Sequence, residues 1–186
     1  MKVAIITCNA DPDNARARGF RAAVKATRGL KPVVVKNSRR GFLRYGQVFW
    51  RLWRMNRAEK PDAYLLTFRG QELLPFVLRL AGSRPVWFDE FVVPNAYINE
   101  EAHSARRDGR LKQRLARVSF SLYRRWLHRC TAIFAETEEQ AELSARTSGM
   151  NLSSYAVVPT PDENLSEKTM APMVRQLALL ADEAAS

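Results

Sequence analysis

The sequence predicts an α/β fold, a doubly wound and mostly parallel sheet with helices on both faces. Two observations carry the prediction. Six short apolar runs recur along the 186 residues, and helix-length amphipathic intervals separate them. Runs that are apolar throughout, rather than alternating, suit strands buried on both faces of a parallel sheet.

The strand candidates, in order, are 2–7 (KVAIIT), 32–37 (PVVVKN), 62–68 (DAYLLTF), 85–91 (PVWFDEF), 131–137 (TAIFAET) and 155–159 (YAVVP). The first interval has Asn14 placed to cap a helix, with Phe20, Ala23, Val24 and Thr27 on one face. A second helix is expected over 41–57. A third covers 71–81, with Gly82 as its stop. A long fourth helix covers 107–129, where Leu111, Leu115, Val118, Leu122 and Trp126 recur at helical steps. Thr137 and Gln140 form a capping-box pattern for a fifth, ending before Gly149. A last helix over 166–184 carries Met173, Leu177 and Leu180. Residues 92–106 read as the one long loop, and 159–166 (PTPDENLS) as the best boundary. The chain thus reads as a single Rossmann-like domain over 1–162, with a tail over 163–186 whose helix packs back on it.

Composition narrows the function classes. At 46% hydrophobic and 26% charged the chain can bury a core, which excludes a disordered one. No apolar run approaches the roughly 20 residues that cross a bilayer, and the N-terminus reads as a strand rather than a secretory signal. A cytoplasmic protein is expected. Two cysteines and two histidines, scattered in sequence, offer no zinc-site spacing, and Cys8 reads as a buried small hydrophobe. Thirty Lys and Arg against nineteen Asp and Glu leave a net charge of +11, which favours a polyanionic partner.

In open parallel sheets, ligands bind beyond the C-terminal strand ends. That rule selects Asn9, Asp11 and Asn14 after the first strand, Arg69 and Gly70 after the third, Asp89 and Glu90 at the fourth, and Glu136 and Thr137 at the fifth. The first turn, CNADPDN, has no glycine, so it lacks the dinucleotide fingerprint. The chain has neither a P-loop nor a G-x-S-x-G elbow. Asp89 and Glu90 are adjacent in a strand and must point to opposite faces, so they are not an acid/base pair. Each fits equally well as a ligand-facing base or hydroxyl-binding group and as half of a structural ion pair. Glu136 stays open between ligand binding and a place at a helix N-terminus, where Thr137 reads as the cap.

The segment 39–57 (RRGFLRYGQVFWRLWRMNR) holds six arginines and no acid. On a helical wheel Phe42, Tyr45, Phe49, Leu52 and Trp53 gather on one side and Arg40, Arg44, Arg51 and Arg54 on the other, with Trp50 off the main apolar face. In the helix from 107, Arg110, Arg114, Arg117, Arg124 and His128 fall together. Both helices fit an anionic-membrane surface; a core-packed helix with an arginine-rich solvent side fits the first equally. No RRM- or zinc-finger-type signature accompanies the charge, which disfavours nucleic acid.

Several pieces resemble the N-terminal domain of GT-B glycosyltransferases similar to family 4. They are the strand ending Val86-Trp87-Phe88-Asp89, the long helix through 122–130, the strand ending Ala135-Glu136-Thr137, and the Val157-Val158-Pro159 turn. The segment 61–66 with Phe68 and Gly70 is similar too. The resemblance covers about residues 1–162. It departs in the glycine-free first loop and in Glu136, where Asp is usual. It also lacks the second Rossmann domain, which in the family holds the nucleotide-sugar. The resemblance implies an acceptor-side half, inactive alone and without a cofactor of its own. Sugar transfer would need a nucleotide-sugar donor and a donor domain, from a partner protein or from a part of the gene not present in this sequence. The acceptor would be lipid-linked or a polysaccharide, met through Asn9, Arg69, Asp89 and Glu90, with the basic helices on the inner membrane face. The alternative is a non-catalytic module that docks to an anionic membrane or a protein partner.

Overall fold

The structure is a computed structural model that describes residues 1–67, 70–90 and 110–185, with the backbone alone over 110–117. Six strands form one all-parallel sheet: β1 Lys2–Thr7, β2 Lys31–Lys36, β3 Ala63–Thr67, β4 Val86–Asp89, β5 Ala132–Ala135 and β6 Tyr155–Val157, in the order β2-β1-β3-β4-β5-β6. The helices are α1 Ala15–Ala26, α2 Leu43–Glu59, α3 Leu74–Ala81, α4 Arg110–Leu127, α5 Glu138–Ser148 and α6 Glu167–Ala185, and a short 3-10 turn covers Leu152–Ser154. The α/β prediction and its doubly wound, parallel architecture hold. The predicted loop over 92–106 lies outside the described residues.

Alternation along the strands sorts the core into two layers. Val3 and Ile5 of β1, Leu65 of β3, Trp87 of β4 and Phe134 of β5 pack with Phe20 and Val24 of α1 and with Met173, Leu177 and Leu180 of α6. Ile6, Tyr64, Leu66, Phe88 and Ile133 face the other way, against Val48 and Leu52 of α2, Leu74 and Val77 of α3, and Tyr123 and Leu127 of α4. The chain steps outward from β1 to β2 over one face and back to β3 over the other, as right-handed crossovers require. α6 returns to the first face and covers the sheet beside α1.

Local signals hold where they rest on caps. The Asn14 side chain accepts a hydrogen bond from Ala17 N at 3.0 Å and starts α1. Thr137 Oγ1 accepts from Gln140 N at 3.2 Å and starts α5. Gly82 and Gly149 end α3 and α5 at φ of 65° and 72°, where a Cβ would be strained.

Two wheel readings need correction. In α2 the buried residues are Val48 and Leu52, with Tyr45 and Met55 partly buried beside them. Phe42 is 89% exposed, and Phe49 and Trp50 are also exposed. In α4 the buried stripe is Tyr123 and Leu127, with Phe120 and Trp126 alongside, whereas Val118 and Leu122 face outward. Each helix carries two apolar stripes, and the larger aromatics of α2 are not the ones that reach the sheet.

Candidate functional site

The strand order reverses between β1 and β3, the point where such sheets open a crevice at their C-terminal edge. The predicted residues at this opening serve the loop itself. Asn9 closes the end of β1 onto β2: its N–H donates to Asn37 Oδ1 at 3.1 Å, and its carbonyl accepts from Asn37 Nδ2 at 2.9 Å. Asn9 Oδ1 accepts from Ala10 N at 2.6 Å. Asp11 is exposed and accepts from Asp13 N at 3.1 Å. Asn14 spends its side chain on the α1 cap and on the Asp11 carbonyl. Gly70 is buried, and a Cβ there would meet the Leu66 side chain at 2.5 Å. Arg69 lies outside the described residues. Cys8, 1% exposed, has its thiol pushed up to about 11 by burial, so it is a poor nucleophile.

A second cluster lies where β4, β5 and β6 end. Asp89 and Glu90 do point to opposite faces of the sheet, as strand alternation requires. Asp89 is sealed on the α1 side, where Arg16 reaches its Oδ1 through Nε at 2.7 Å and through Nη2 at 2.6 Å. Both side chains are essentially inaccessible to solvent. Arg16 Nη1 also donates to the Val158 carbonyl at 2.7 Å and to Thr160 Oγ1 at 3.3 Å. One guanidinium therefore ties α1, β4 and the turn after β6 together. The fork geometry of arginine permits this, and a lysine could not reproduce it.

Glu90 is buried on the opposite face. Tyr123 Oη of α4 donates to its Oε1 at 2.6 Å, and Ser144 Oγ of α5 donates to its Oε2 at 2.5 Å. Tyr155 Oη lies 2.9 Å from Ser144 Oγ and extends the network to β6. Burial dominates the carboxyl and pushes it up to about 7; the two hydroxyl bonds pull it down and the nearby Asp89 charge adds to the rise. Gln140 closes the corner, its Nε2 donating to the Glu90 carbonyl and its Oε1 accepting from Glu136 N at 3.0 Å. Glu136 is half-buried and Thr137 exposed.

The sequence reading missed Arg16, Tyr123, Ser144 and Tyr155. A signal existed for Arg16: it stands four residues before Phe20, on the apolar face of α1, where an arginine must find a buried partner. Among the described residues no group of three or more His, Cys, Asp or Glu side chains could hold a metal ion.

The predicted basic residues of α2 divide. Arg40 and Arg54 are exposed. Arg51 is exposed but donates to the Lys36 carbonyl at 2.7 Å. Arg44 is half-buried, and its Nη2 donates to Tyr45 Oη at 2.8 Å. Its positive charge opposes the rise that burial gives the Cys8 thiol. Trp50 is 57% exposed and stacks on Trp53, ring centroids 5.2 Å apart. The side chains of Arg110, Arg114 and Arg117 lie outside the described set. No described helix is long and apolar enough to cross a membrane.

No protein-family model matches the sequence, and no curated protein matches it. Among solved structures, an uncharacterized protein from Actinobacillus succinogenes is similar at 13% identity over 98% of this chain and 90% of that chain, with a TM-score of 0.43.

Proposed function

We propose that the chain is the acceptor-side half of a family-4-like glycosyltransferase, in which sugar transfer needs a donor-binding domain supplied from elsewhere. One observation supports this reading above the others. Several of the segments that carry the resemblance, far apart in sequence, are bonded to one another at a single corner of the sheet. Arg16 joins Asp89 to Val158, and Gln140 joins Glu90 to Glu136. The shared pattern is then a brace for the C-terminal rim. In this reading Asp89 and Glu90, which are 0% and 1% exposed, position the rim. Acceptor contact falls to the exposed loop around Asp11 and to Arg69.

The test measures binding and turnover separately. Saturation-transfer NMR is run on the purified chain with lipid-linked oligosaccharides, polysaccharide fragments and nucleotide-sugars. The expected result is contact with one acceptor class and none with nucleotide-sugars. Labelled sugar transfer is expected only after a donor-domain protein is added. Binding of nucleotide-sugars without any acceptor, or turnover by the chain alone, would overturn the proposal.

A further inference from the structure

We infer that the outer face of α2, with the adjoining edge strand β2, docks on the anionic surface of a lipid bilayer. This does not rest on the transferase reading, since a transferase half and a non-catalytic module could both use it.

The first observation is what α2 leaves uncovered. Phe42 and Leu43 at its start are 89% and 66% exposed, and Trp50 is 57% exposed. Leu43 and Trp50 are seven residues apart and so share one side of the helix. An open groove beside Phe42, Leu43 and Trp50 meets a second one between α2 and β2, lined by Val33, Val34 and Met55; Trp50 and Arg51 border both. Contiguous exposed apolar surface rimmed by polar groups marks an interaction site.

The second observation is charge. From Asn37 to Ala58 there is no acidic residue; Glu59, at the end of the second groove, is paired with Lys2 at 3.1 Å. Arg39, Arg51 and Arg54 line the two grooves, and Arg40 and Arg57, next to them in the chain or on the helix, are exposed as well. Trp53 is capped by the Arg57 guanidinium, 4.8 Å from the ring centroid. A cationic rim around protruding Trp, Phe and Leu matches a surface with negative headgroups over an apolar layer. A nucleic acid would use the same charge, but gains little from Leu43 and Val34. A protein groove would need a negative rim.

The experiment is co-sedimentation of the full chain with phosphatidylglycerol–phosphatidylcholine vesicles and with phosphatidylcholine vesicles alone. Binding is expected only to the anionic vesicles, and it should weaken with salt. The side chains of Arg40 and Arg54 make no hydrogen bond or ion pair with described residues, so the pair Arg40→Glu and Arg54→Glu tests charge without disturbing the fold. That pair should weaken binding at least about tenfold. The pair Phe42→Ser and Trp50→Ser keeps the charge and should also weaken binding about tenfold, with loss of the vesicle-induced blue shift of tryptophan emission. Far-UV circular dichroism confirms that each variant is folded, and either pair alone decides the matter. Equal binding to neutral vesicles, undiminished binding by a folded variant, or capture by duplex DNA without capture by vesicles overturns the inference.

Discussion

At the scale of single residues, the chemistry that matters most is hidden in two carboxylates that follow one another in sequence. Strand alternation dictated that Asp89 and Glu90 would part, and this was legible from the sequence. Their partners were not, because Arg16, Tyr123 and Ser144 lie 73, 33 and 54 residues away in the chain. The two environments predict different behaviour. Arg16→Met strands a buried charge at Asp89 and should cost about 3–5 kcal/mol, measured by urea unfolding. Adding Asp89→Leu should recover much of that loss, and no recovery would show that the Val158 and Thr160 bonds dominate. Glu90 predicts a pH dependence. Its folded-state carboxyl sits at about 7 against an ordinary 4.5, so the folded chain holds a proton that the unfolded chain releases. The stabilisation is present below about pH 4.5 and is lost as pH rises toward 7. The loss is on the order of 3 kcal/mol at most. Glu90→Gln should flatten the fall in stability between pH 5 and pH 8, read by unfolding at intervals across that range. An unchanged slope would place the titrating group elsewhere.

At the scale of elements, sequence signals succeeded where they were local and failed where they had to choose a face. Asn14, Thr137, Gly82 and Gly149 marked helix ends because caps depend on a few neighbouring residues. Periodicity in α2 could not say which of two apolar stripes meets the sheet. The predicted apolar side included Leu52 and Tyr45, which do pack inward, but also Phe42 and Phe49, which stay exposed while the smaller Val48 takes a core place. This reversal is measurable. Leu52→Ala should destabilise by about 2–5 kcal/mol, and Phe42→Ala by no more than about 0.5 kcal/mol, compared by urea midpoints. The opposite order would restore the aromatic face to the core. Helix α1 offers a matching test. A Cβ at Gly19 would lie 2.5 Å from Pro161 Cγ and 3.2 Å from Met173 Sδ. The proline ring cannot rotate away, so Gly19→Ala should cost about 1–3 kcal/mol by overpacking.

At the scale of the whole molecule, the alternation of strands and helices announced a parallel sheet. It did not announce the order of the strands, because each crossover can carry the chain to either side. Only the assembled sheet puts β1 in the interior and β2 at the edge, beside the exposed side of α2. The same limit applies to the tail. Residues 159–166 look like a boundary because proline and polar residues cluster there, yet the layer on that side of the sheet is complete only beyond them. Met173, Leu177 and Leu180 of α6 are buried with Phe20, Trp87 and Phe134. Truncation after residue 162 would leave those rings facing water, and α1 would lose Met173, which packs beside Gly19. Burying a large apolar side chain is worth about 1.5–3 kcal/mol, so several uncovered at once exceed much of the roughly 5–15 kcal/mol that holds a domain folded. The truncated chain should therefore lose its cooperative thermal transition and bind a hydrophobic dye, while α6 supplied as a separate peptide should restore part of the transition. A sharp, full-height transition for residues 1–162 alone would show that α6 is an appendage rather than a layer of the domain.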